Sequence, residues 1–114
     1  MYTFGRKPAD GYQGPWWGAR AIYQGTIIDL LADRQSAVGS DEERAELELW
    51  LNGTRRGKTP AVKGALVELR ERVKVERPST REAAVLVVER GGFRLEASPQ
   101  RSYGYMYLGA WKVP

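Results

Sequence analysis

Apolar and polar positions alternate with a period of two over residues 17–24, where Trp17, Ala19, Ala21 and Tyr23 share one face. That period marks a strand with one buried side. A second alternating stretch, 26–33, follows across Gly25, with Ile28 and Leu30 set against Asp29, Leu31 and Asp33. Two such runs joined near a glycine predict a hairpin. The period then changes. Ser40-Asp41-Glu42-Glu43 is a capping box, in which the serine oxygen accepts from the N–H of Glu43 and the glutamate reaches back. Leu47, Trp50 and Leu51 follow at helical spacing, and Asn52-Gly53 ends the helix because both residues tolerate the left-handed conformation. Thr59-Pro60 predicts the start of a second helix, with Val62, Leu66, Leu69 and Val73 on one stripe and Pro78 beyond its end.

The apolar run Ala83–Val88 faces both ways, which predicts a central strand. Gly91-Gly92 turns the chain. Phe93, Leu95 and Ala97 alternate with Arg94 and Glu96, Ser98–Arg101 turns it again, and Tyr103–Val113 makes the last strand. The order is β-β-α-α-β-β-β. It predicts an α+β fold with an antiparallel sheet of about five strands and both helices on one face. Residues 1–17 carry no period. They are rich in glycine, proline and large rings, among them Tyr2, Phe4, Tyr12, Trp16 and Trp17, and are read as an irregular aromatic arm packed on the rest of a single domain, 1–114.

Composition narrows the chemistry more than the fold. There is no histidine and no cysteine in the 114 residues. Ser-His-Asp, Cys-His, histidine–zinc and thiolate-metal chemistry are thereby excluded. No apolar stretch approaches a membrane span, and the first residues lack the apolar core of a secretion signal. The expectation is a cytoplasmic chain with no membrane partner and no cofactor. Asn52-Gly53-Thr54 fits a glycosylation sequon and is read as a turn. Net charge is +4, which permits nucleic-acid binding without requiring it. The charges are segregated. Residues 41–48 hold five acids against one arginine, 55–63 hold four cations and no acid, and 70–81 hold five cations against two acids.

Two candidate surfaces follow. The first is the last strand, where Tyr103, Tyr105, Tyr107 and Trp111 share one face, while Gly104, Met106, Leu108 and Ala110 share the other. The smaller face suits close packing under helices, so the rings are expected to face away from them. Either the arm covers the rings as a second small core, or a partner meets them. At least two of the four are expected to stay accessible. An aromatic row on a sheet also suits base stacking. Locally, Arg101-Ser102-Tyr103-Gly104-Tyr105-Met106 is similar to part of the RNP1 motif of RNA-recognition domains. The similarity covers six residues and departs at Ser102 and Leu108. The β-α-β-β-α-β order of that family is absent, so neither its fold nor its function is carried over.

The second surface is the loop from Asn52 to Pro60. Arg55, Arg56 and Lys58 lie just before an expected helix N-terminus, where free N–H groups favour a phosphate or an acidic partner. Its length exceeds the turn of a helix-turn-helix motif. Asp29 and Asp33, on one strand face, are read as solvated carboxylates and not as magnesium ligands.

These features point away from an enzyme. They point to a non-catalytic binding protein that occludes or bridges a protein or nucleoprotein surface. Small inhibitors carried by phages or plasmids against host defence complexes, anti-CRISPR proteins among them, belong to this class. The alternative is a small DNA- or RNA-binding regulator that uses the basic loop and the aromatic strand.

Overall fold

The structure is a computed structural model and describes residues 5–24, 27–52, 64–76, 85–99 and 104–113. Five strands, β1 (Trp16–Gln24), β2 (Ile27–Val38), β3 (Leu86–Arg90), β4 (Phe93–Pro99) and β5 (Tyr105–Lys112), form one sheet in the order β2-β1-β5-β4-β3. Every neighbouring pair is antiparallel. Helices α1 (Asp41–Asn52) and α2 (Ala65–Glu76) lie between β2 and β3 in the chain. This is the expected α+β order.

Alternation sorts the strands as expected. Trp17, Ala19, Ala21 and Tyr23 of β1, Ile28 of β2, and Met106, Leu108 and Ala110 of β5 are buried in the core shared with the helices. Leu95 and Ala97 of β4 and Leu86 and Val88 of β3 join them. α1 contributes Leu47 and Leu51, and α2 contributes Ala65, Leu66, Leu69 and Val73. Trp50 seals the end of this core. Its ring lies 5.4 Å from that of Phe93, and its Nε1–H donates to the carbonyl of Arg90 at 3.0 Å.

The capping box forms as read. The N–H of Glu43 donates to Ser40 Oγ at 3.3 Å, and the N–H of Ser40 donates to Glu43 Oε1 at 3.0 Å. Glu43 is held below its ordinary value, first by the bond from the Ser40 backbone and then by the Ser40 side chain. Gly91 and Gly92 both have positive φ, which is the signature of the two-residue hairpin turn that matches strand twist.

Several boundaries move. The arm ends at Pro15, because Trp16 and Trp17 already pair with Val38 and Ala37 of β2. β2 runs on to Val38, past an irregularity opposite the Ala19–Ala21 stretch. The second helix begins at Ala65, with the carbonyl of Gly64 taking the N–H of Glu68 at 3.2 Å. Thr59-Pro60 and Val62 lie outside the described residues, and Gly64 is not helical, so the helix does not run through from Thr59. Ser98 and Pro99 belong to β4 and pair with Tyr107 and Met106.

The largest correction concerns Ala83–Val88. Its described part is not a central strand, because among the described residues β3 pairs with β4 alone and stands at the edge of the sheet. Leu86 and Val88 face the core, Val87 is half-buried, and Val85 is exposed. Arg72 of α2 donates to the carbonyl of Val87, covering part of a strand that has a neighbour on one side only. No helix among the described residues is long and apolar enough to cross a membrane.

Candidate functional site

The face of the sheet away from the helices carries polar and aromatic rows. Registration across β1, β5 and β4 aligns them. Tyr107 lies between Arg20 and Ser98, Gly109 between Gly18 and Glu96, and Trp111 between Trp16 and Arg94. Tyr105 stands opposite Ile22. The rings of β5 therefore face away from the helices, because alternation commits Met106, Leu108 and Ala110 to the core.

The arm crosses one end of this face. The N–H of Arg6 donates to the carbonyl of Leu108 at 3.0 Å. Its guanidinium donates through Nε to Glu96 Oε1 at 2.6 Å and through an η nitrogen to Ser98 Oγ at 2.9 Å. Arg94 Nε approaches the other Glu96 oxygen at 2.8 Å. That contact is an ion pair by distance but lacks hydrogen-bond alignment. Arg94 also reaches Glu89 at 3.4 Å. The result is an alternating chain of charges in which Glu96 is clamped between two arginines.

Further along, the Tyr12 hydroxyl lies 2.9 Å from the carbonyls of Pro15 and Lys112, donating to one at a time, and accepts from the N–H of Lys112 at 3.2 Å. Burial pushes the Tyr12 phenol above its ordinary value. The Lys112 backbone bond opposes that shift, and the charge of Glu43 adds to it. Between arm and sheet remains an open cavity of about 390 Å³, lined in part by Lys7, Pro8, Arg94, Glu96 and Trp111.

The tyrosine row is thus divided. Trp111 is 7% exposed and lines the cavity beside the arm. Tyr105 and Tyr107 are half-buried and keep accessible surface. The guanidinium of Arg20 lies over the Tyr105 ring, 5.0 Å from its centre. Tyr103 lies outside the described residues. So do Arg55, Arg56 and Lys58, and so do the side chains of Asp29 and Asp33. Among the described residues no three acidic, histidine or cysteine side chains come together as a metal site would need.

Periodicity alone did not single out Arg6, Arg20 or Tyr12. The only sequence signal for Glu96 and Arg94 was that they alternate with the core residues of β4. Which row each joins depends on how strands distant in sequence align. No known protein-family model matches this chain, and no curated protein resembles it in sequence.

Proposed function

We propose that the chain is a non-catalytic binding protein whose outer sheet face docks on a protein or nucleoprotein surface and occludes or bridges it. The observation that carries this reading is the Tyr105–Tyr107 pair with Arg20 stacked over Tyr105. Tyrosine and arginine are the side chains that most often dominate interface energetics. Here they sit on the middle strand of the sheet and its neighbour, with Arg20 held over the Tyr105 ring. The absence of histidine and cysteine from the sequence supports binding over catalysis.

The test is affinity capture from cells that express the chain, with and without nuclease, using the wild type, Tyr105→Ala and Tyr107→Ala. A protein partner captured in both conditions, and lost in variants whose unfolding midpoints are unchanged, supports the reading. Equal capture by wild type and variants moves the interface elsewhere. Capture abolished by nuclease points instead to direct nucleic-acid binding.

A further inference from the structure

We propose that Glu96, Ser98 and the carbonyl of Leu108 form a receptor for an extended glycine–arginine segment. The chain's own arm fills it, and a partner protein carrying such a segment takes the arm's place. This deepens the reading of the outer face as a partner surface and rests on that reading for the occupant's origin.

Three acceptors from two adjacent strands converge on one residue. Glu96 takes Nε of Arg6 at 2.6 Å, Ser98 takes an η nitrogen at 2.9 Å, and Leu108 takes the backbone N–H at 3.0 Å. A planar guanidinium presents its donors in a fixed fork, which a lysine ammonium cannot reproduce. The preceding position is selected by shape. Gly5 has φ +118°, and a Cβ there would meet the carbonyl of Leu108 and lie 2.8 Å from that of Ala19. Opposite, the bare α-carbon of Gly109 admits the Arg6 carbonyl. Glycine followed by arginine is what this surface fits.

The occupant is laid on the sheet and not built into it. Its described residues form neither helix nor strand before Trp16. The Arg6 side chain is 37% exposed, whereas that of Glu96 is 12% exposed. An open cavity of about 390 Å³ is lined by arm residues together with Arg94, Glu96 and Trp111, so solvent reaches the arm's edge. Arg94, at 2.8 Å, holds Glu96 in position when Arg6 leaves. A segment tethered this closely acts at an effective concentration on the order of millimolar. A free segment therefore competes only when the arm is weakened, or when further contacts, such as those at Tyr105 and Tyr107, add to its affinity.

The experiment uses a labelled peptide with the sequence of residues 5–12, titrated onto the full chain as wild type and as Arg6→Ala. The peptide is expected to bind Arg6→Ala at least about tenfold more tightly than wild type, because the tethered competitor has lost its anchor. Replacing the peptide's arginine by lysine, or its first glycine by alanine, is expected to weaken binding by about tenfold or more. These changes leave the protein untouched, so its folding is not in question. Equal affinity for wild type and Arg6→Ala, or affinity indifferent to the peptide's arginine, overturns the receptor. That result leaves the Tyr105–Tyr107 face standing. Conversely, peptide binding that survives Tyr105→Ala and Tyr107→Ala together with unchanged partner capture supports the receptor while removing the tyrosine face.

Discussion

The carbonyl group of Arg6 rests on the α-carbon of Gly109, so closely that a Cβ there would fall on its oxygen and within 2.9 Å of its carbon. The Trp111 ring approaches the same point to 2.9 Å. Gly109 is thus the seat of the arm, and backbone atoms, unlike the end of a long side chain, cannot swing aside.

Gly109→Ala is therefore expected to lift the arm and not merely to crowd it. Overpacking costs typically about 1–3 kcal/mol, and an arm held by a few polar contacts is the part that yields. Hydrogen exchange at the Arg6 amide should accelerate, and tryptophan emission should shift to longer wavelength as Trp111 meets water. Unchanged exchange at Arg6 would mean that the sheet moves instead.

Leu69 is fully buried between α2 and the sheet, while Leu49 of α1 faces outward. Leu69→Ala is expected to cost about 2–5 kcal/mol, and Leu49→Ala to stay within about 0.5 kcal/mol. Chemical denaturation of the two variants checks the orientation of both helices in one experiment.

Tyr12→Phe removes the hydroxyl that links Pro15 and Lys112, with an expected loss of about 0.5–1.5 kcal/mol. The folded phenol titrates above its ordinary value of 10.0. Its stabilising contribution is whole below that value and is lost as pH rises through the higher folded one. Burial raises Tyr23 as well, so an ultraviolet titration should show a late-ionising fraction that shrinks in Tyr12→Phe but does not vanish.

Ser40→Ala removes the cap of α1 and is expected to cost about 1 kcal/mol. Glu43 carries the pH dependence of the same cap. Its folded value lies below the ordinary 4.5. The contribution is present above that value and fades as pH falls through the folded one. Stability measured from neutral to acid pH should therefore decline only slightly less steeply in Ser40→Ala than in wild type, since the substitution removes the side-chain bond to Glu43 and keeps the backbone N–H, which lowers it most.

The sequence by itself determined what neighbouring residues decide. The order of elements, the capping box, the glycine turn at 91–92, the buried stripe of the second helix and the face on which Tyr105 and Tyr107 stand were all legible. Each follows from spacings of two, three or four residues within one element. Only the tertiary structure decided that β3 is an edge, that the second helix starts at Ala65, and that Trp111 is buried while Tyr105 and Tyr107 stay half open. It alone set Glu96, Gly109 and Gly18 in one row and laid Arg6 across it. Arg6 and Glu96 are 90 positions apart. No local pattern encodes such a pair, because its position is set by which strands share hydrogen bonds and where the core closes, and those are properties of the whole chain.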